Sequence, residues 1–434
     1  MWRQKVLRSK RSAALFVAIC CVSATLGAPL GAPLGAQAKL AAATKDSAAV
    51  VYDDDGVRIH SADGRRQLKL RGYVALDGRF ISSDRTDALP NTFAVRRARL
   101  IFDLNINPWM ALRVMPDLAV TTMPGLADAF VDVTLGKHLW MRAGKQKVAY
   151  GWERYVNASD QPFPERSIVS QLSSNRDEGV AFTGDVMDGR VEATVAMYNG
   201  VPNGGANGES DVNDAKDVTV RVVTRPIMQK NGQGVFLGYS GSHGVMRAAG
   251  TATGLAHYAT PAAATFFQYR ETAGAVADGD RDRHNLFAVA RFGSFGAFAE
   301  GYRTLENVGR GVLKALVPST GAFLALDWVM TGELSDARGI APAKVFDPEH
   351  GNWGALQLVA RVAQVSVGDA AFPVFADSVV SARSATEQAL GLSWYLTRNT
   401  KAQAAYELTT FRGGAATGNR PTEQLLYLRL QTFF

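Results

Sequence analysis

Cysteine is confined to Cys20 and Cys21, so past residue 21 this 434-residue chain carries no thiol. Disulfides, cysteine metal centres and cysteine nucleophiles are excluded from everything that follows. Long apolar runs are also missing. Beyond the N-terminal leader no stretch reaches the roughly 18 consecutive apolar residues that a membrane-spanning helix needs, which excludes a helical membrane protein. Histidine is scarce: His60, His138, His243, His257, His284 and His350 are scattered, with no His-Glu-Xaa-Xaa-His spacing, and no Gly-Xaa-Ser-Xaa-Gly elbow occurs. Asp53-Asp54-Asp55-Gly56 lacks the later Asp/Asn spacing and closing Glu of a calcium loop, and reads as a flexible segment. No enzyme, metal site or cofactor is expected.

What the chain does have begins with a leader. Arg3, Lys5, Arg8, Lys10 and Arg11, with no acid among them, precede an apolar run from Ala13 to Leu26. This is the pattern of a secretory signal, and Ala36-Gln37-Ala38 offers the small side chains a signal peptidase requires. The expected signal is 1–38, with the mature start near Lys39. Neither cysteine follows the Leu-small-small pattern of a lipoprotein signal. Taking those five cations from 47 leaves 42 basic residues against 40 acidic ones. The near balance removes the argument for a nucleic-acid partner.

The remaining length divides into segments of about ten alternating residues, separated by loops rich in Gly, Asp, Asn and Pro such as Asn199 to Asp214. From Gln67 to Phe80, Leu68, Leu70, Val74 and Leu76 fall on one face of a strand; Lys69, Arg71, Asp77 and Arg79 fall on the other. Ala98, Leu100, Phe102 and Leu104 likewise oppose Arg97, Arg99, Asp103 and Asn105. Val218, Val220 and Val222 oppose Thr219, Arg221 and Arg225. At the end Leu426, Leu428, Leu430 and Phe434 oppose Tyr427, Arg429 and Gln431.

A soluble β-sandwich alternates in the same way. Two features favour a barrel in a membrane. The Phe433-Phe434 terminus, on an amphipathic strand in a chain with a signal, is the kind of end the outer-membrane barrel-assembly machinery recognises. A closed barrel also pairs every backbone polar group while its apolar face meets lipid and its charged face meets water. The expected fold is an all-β transmembrane antiparallel β-barrel over 67–434, after an N-terminal periplasmic or entry segment at 39–66, in the bacterial outer membrane.

These residues resemble the phosphate-selective porin O and P family, from about Val57 to Phe434. The likeness rests on Leu68-Lys69-Leu70-Arg71-Gly72-Tyr73, on the paired arginines of Phe93-Ala94-Val95-Arg96-Arg97-Ala98-Arg99-Leu100, and on Ala143-Gly144-Lys145-Gln146. It continues through Thr331-Gly332-Glu333, Phe346-Asp347-Pro348 and Gly351-Asn352-Trp353-Gly354-Ala355, read as a late strand, loop and strand. Gly391-Leu392-Ser393-Trp394-Tyr395 and Arg429-Leu430-Gln431 complete it. The resemblance implies about 16 strands, a homotrimer, and a water-filled channel for phosphate or similar small anions. One departure is Tyr73, where the family's first strand usually carries Arg; Arg71 lies two residues earlier on the same face.

An anion-selective pore needs fixed positive charge at its narrow point, and arginine offers phosphate oxygens a planar fork of donors. Alternation nominates Arg71, Arg97, Arg99, Arg221 and Arg225 as pore lining. The irregular stretch Tyr150 to Asp177, too long for a turn, suits a constricting loop, with Arg166 on its inner face. Arg96 would need a bulge or a rim position to join its neighbour. The resemblance implies that Arg96 and Arg97 both contribute, together with Asp128, which would hold arginines in place. A general non-specific porin and a non-conducting structural or adhesive barrel are the alternative readings.

Overall fold

The computed structural model describes residues 49–53, 56–83, 89–119, 125–205 and 213–434. The signal expected at 1–38, with both cysteines, lies outside them. Sixteen antiparallel strands form the wall. The first eight are β1 (Gln67–Ser82), β2 (Thr92–Asn107), β3 (Met110–Asp117), β4 (Gly125–Gly136), β5 (Leu139–Lys147), β6 (Arg176–Val186), β7 (Val191–Tyr198) and β8 (Asp217–Met228). The second eight are β9 (Gly234–Arg247), β10 (Ala275–Phe292), β11 (Phe295–Arg310), β12 (Leu313–Val329), β13 (Ala355–Val367), β14 (Ala382–Tyr395), β15 (Thr400–Ala415) and β16 (Glu423–Phe433). Each strand pairs with its sequence neighbours, and β16 pairs back onto β1 from Gln424↔Ser82 to Phe433↔Tyr73. The closure leaves no open edge in the wall.

The period-2 pattern sorts side chains as the sequence reading expects. Leu286, Leu326, Leu390, Leu426 and Leu430 stand exposed on the outside, while Arg97, Arg221, Arg281, Arg361 and Arg429 are buried on the inside. Aromatics gather at the end that carries Phe434: the rings of Phe295 and Trp328 stack 6.0 Å apart, and Phe346 meets Trp394 edge-on at 5.3 Å. Such a band suits the boundary between hydrocarbon and water.

A hairpin precedes the barrel where a flexible segment is expected. Ala49–Asp53 pairs with Gly56–His60, which pairs with Gln67 to Leu70 of β1. It uses the same edge of β1 that β16 occupies from Tyr73 onward. The terminal Phe434 exchanges backbone hydrogen bonds with Gly72 in both directions, at 2.8 and 3.1 Å. Its ring lies where a Cβ on residue 72 would stand, so the close approach depends on glycine. Thr331-Gly332-Glu333 also differs from the sequence reading: it forms a turn just past β12, because the strand pairing ends at Val329.

The wall is low on one side and tall on the other. Strands β3 to β7 have 8 to 12 residues, while β9 to β15 have 13 to 18. Between β5 and β6 the chain leaves the wall for residues 148–175 and turns into the lumen. Ile168, Val169 and Leu172 of this loop join Phe323 and Val365 of the tall wall, and Tyr258, Phe266 and Phe267 of the 248–274 loop, in one buried cluster. Each large apolar side chain so buried contributes roughly 1.5–3 kcal/mol relative to exposure. The tall side of the lumen is thereby filled, and open space is left along the low side.

Candidate functional site

The open space is a cavity of about 1170 Å³. Ala259 to Ala263 of the 248–274 loop border it toward one end of the barrel; Glu333 to Ala341, Arg398, Phe433 and Phe434 border it toward the other. Its sides are the wall from β1 to β6 and the 148–175 loop. Among the described residues twelve Lys and Arg line it against five Asp and Glu. Three carboxylates that back the wall arginines, Asp77, Asp103 and Asp117, narrow that excess without removing it.

The loop's path is fixed by polar side chains of the tall wall. Glu300 accepts the backbone N–H groups of Trp152 (2.7 Å) and Glu153 (3.0 Å). Glu153 in turn accepts from Ser167 N (2.9 Å) and Ser167 Oγ (2.7 Å), closing the loop on itself. Glu387 accepts from Ile168 N at 2.9 Å while Arg361 Nε donates to its other oxygen at 2.5 Å. Lys401 donates to the carbonyl of Gln161 (2.7 Å), Arg361 to that of Glu165 (3.1 Å), and Arg429 to that of Pro164. Buried backbone groups without partners are costly, so these contacts decide where the loop can lie.

Across the gap stands β2. Its register with β1 slips between Ala75↔Arg97 and Leu76↔Val95, leaving Arg96 as an extra residue. The bulge turns both arginines inward. Arg96 Nε donates to Glu165 Oε1 at 2.9 Å and Arg97 Nη2 donates to the same oxygen at 3.3 Å. From β16, Arg429 Nη2 reaches it at 3.1 Å, while holding Asp77 with its Nε at 2.7 Å and with Nη2 at 2.9 Å. Burial disfavours a charge on Glu165, but Arg97, Arg96 and Arg429 hold its carboxyl well below the usual carboxylate range.

The other nominated residues divide. Arg71, Arg99, Asp128 and Arg166 line the same cavity as Arg96 and Arg97. Arg71 pairs with Asp103, and Arg99 with Asp117 at 2.7 Å. Arg166 donates to the carbonyls of Glu153 (2.9 Å) and Val156 (2.8 Å), and burial, with Arg154 and Arg97 nearby, pushes it down to about 9. Asp128 does not meet the arginine pair; its partner is Arg176 at 2.7 Å, because β4 brings it opposite the start of β6. Arg221 and Arg225 face inward, yet neither borders the cavity. The loop covers Arg221, which donates to Gly151 O (3.2 Å) and Glu192 (3.3 Å) beneath the Tyr155 ring. Arg225 is drawn to the β6–β7 turn, donating to Gly189 O at 2.6 Å.

Sequence reasoning passed over several cavity cations. Arg79 and Arg113 sit on the inward face by alternation; Lys147, Arg154 and Arg176 are carried by or next to the loop; Arg338 and Arg398 lie at the Phe434 end. Lys147 donates to Tyr155 O (2.7 Å) and Asn157 Oδ1 (2.9 Å), and Arg154 to Ser170 O (3.0 Å). Both of these side chains are held by neutral acceptors. Glu165, the acid at the centre, carries no sequence signal beyond its place in the loop.

A family model described as phosphate-selective porin O and P matches residues 68–434. No curated protein matches the sequence. Among solved structures, the outer membrane channel DcaP of Acinetobacter baumannii superposes with a TM-score of 0.53 at 10% identity, over 85% of this chain and 98% of that one. A loop L8 deletion mutant of OmpT, an outer membrane protein of Vibrio cholerae, gives 0.51 at 10% identity over 85% and 100%. Salmonella typhi OmpF in complex with daunomycin gives 0.51 at 12% identity over 88% and 100%. At such identities the structural likeness concerns the barrel fold alone.

Proposed function

Because the chain belongs to the phosphate-selective porin O and P family and is an outer-membrane channel protein of bacteria, we propose that it conducts small anions, with inorganic phosphate among them. The observation that carries this reading is the cavity bordered toward both ends of the barrel, whose lining among the described residues holds twelve Lys and Arg against five Asp and Glu. A low-dielectric wall focuses such charge, concentrates anions and excludes cations. Arginine donors suit phosphate oxygens. Arg71, Arg96, Arg97, Arg99 and Arg166 are the groups an anion meets; Asp128 positions Arg176.

The aromatic band and the Phe434 end face the periplasm in this reading, since short turns belong there. The homotrimer is proposed from a solved relative, the trimer form of Vibrio cholerae OmpT; the low wall β3 to β7, with Phe182, Val195 and Met197 exposed, is the side offered to a partner subunit. The Phe434 strand is proposed as the segment the barrel-assembly machinery reads, and 1–38 as the signal removed on export. Current through the reconstituted protein under a KCl gradient tests the reading. An anion-selective reversal potential with block by added phosphate supports it; selectivity without block leaves a general anion porin, and no current in a folded barrel favours a structural role.

A further inference from the structure

Glu165 sits where an anion passing between the loop and β2 would find its best donors. Three guanidinium nitrogens from two strands converge on its Oε1, at 2.9, 3.1 and 3.3 Å. That is the donor set an oxygen of a free oxyanion would take, and here a side chain of the protein takes it. A fourth donor, Nη1 of Arg97, is buried beside the cavity with no hydrogen-bond partner, and the Arg97 side chain is only 6% exposed. The site therefore has more donor capacity than its resident carboxylate uses.

The backbone around Glu165 is held by the wall independently of its side chain. Arg361 holds the Glu165 carbonyl at 3.1 Å and Arg429 holds that of Pro164. The Glu165 side chain keeps 14% of its surface open and borders the cavity. None of the contacts that hold the loop backbone here involves the Glu165 carboxylate.

We propose that Glu165 is a tethered counter-anion: at rest its carboxylate occupies the arginine site, and a permeating anion gains that site by exchanging with it. This deepens the anion-channel reading and rests on it. Exchange lets three arginines stand close together without a bound ion and keeps a passing anion from being held too long, since the carboxylate competes for the same donors. A channel must bind strongly enough to admit an ion and weakly enough to release it.

The test uses single-channel recordings of the purified full-length protein and two variants, with chloride as the probe. In Glu165→Gln one negative charge is gone from the narrow region. The chloride-to-potassium permeability ratio should rise and the half-saturating KCl concentration should fall, each roughly fourfold to sixfold, the effect of one unit charge about 4–5 Å away in a watery pore. Glu165→Asp keeps the charge but withdraws the carboxylate by one methylene. It should lower the half-saturating concentration while leaving the permeability ratio near that of the unmodified protein, and it carries the test alone if the Gln variant fails to assemble. An anion-selective parent whose variants keep its permeability ratio and half-saturating concentration overturns the proposal. A parent with no anion selectivity instead removes the anion-channel reading beneath it.

Discussion

Arg96 and Arg97 are neighbours on one strand, yet both donate to the same oxygen of Glu165, at 2.9 and 3.3 Å. Regular strand geometry would send them to opposite faces. The extra residue in the β1–β2 register brings them together, and it concentrates positive charge where the loop comes nearest. Their exposures differ, 41% for the Arg96 side chain and 6% for Arg97. Arg97→Gln should therefore lower the chloride-to-potassium permeability ratio more than Arg96→Gln, roughly threefold or more for the loss of one nearby charge. Arg97→Lys should restore only part of it, because an ammonium lacks the planar fork. Reversal potentials of the three variants check this.

Arg221 makes the opposite case. It is inward and buried, but its donors go to Gly151 O and Glu192 beneath the Tyr155 ring. Arg221→Met should loosen the loop and lower the unfolding temperature of the barrel in detergent while moving the reversal potential less than Arg97→Gln does. A larger selectivity loss from Arg221→Met would place this arginine in the ion path.

Loop position should depend on Glu300. The carboxylate gathers Trp152 N, Glu153 N, Asn285 Nδ2 and the Tyr302 hydroxyl. Glu300→Ala leaves several buried donors without an acceptor, at a cost of about 1–3 kcal/mol each. The expected outcome is a less stable barrel whose surviving channels are noisier and larger in conductance. Thermal unfolding and single-channel traces of the variant report both effects.

Acidification should raise anion selectivity in an ordered way. No histidine among the described residues lines the cavity. Burial raises the pKa of Asp160, so this carboxylate takes its proton early as the pH falls. Glu165, held well below its ordinary 4.5 by the arginines despite burial, takes its proton late. Because its folded pKa is depressed, the stability it supplies is present above 4.5 and is lost only as the pH falls through the depressed value. A reversal potential followed from pH 8 to pH 3 should show a late acidic rise that Glu165→Gln abolishes. The same late rise in the variant would assign it to another group.

The wall was legible in the sequence because a barrel strand repeats every two residues, and Arg71, Arg97 and Arg99 fall on the inner face by that count alone. The adjacency of Arg96 and Arg97 left a bulge or a rim position open, and the β1–β2 register shows the bulge. What alternation does not carry is how inward residues meet. Arg176 finds Asp128 across 48 residues of chain and Arg429 finds Glu165 across 264, and no local pattern encodes either pair. Nor does it show that a loop covers Arg221. The apolar filling of the lumen was equally hidden, since Ile168, Val169, Leu172, Phe266 and Phe267 lie in irregular segments whose hydrophobicity follows no period.

The measurement that bears most directly on the account is the reversal potential of the reconstituted channel under a KCl gradient, taken for the parent and for the double variant Arg96→Gln, Arg97→Gln. The account predicts a parent selective for chloride and a double variant whose selectivity is largely lost while current persists. A cation-selective parent, or a double variant as anion-selective as the parent, would contradict the claim that the paired arginines facing Glu165 set the charge of the pore.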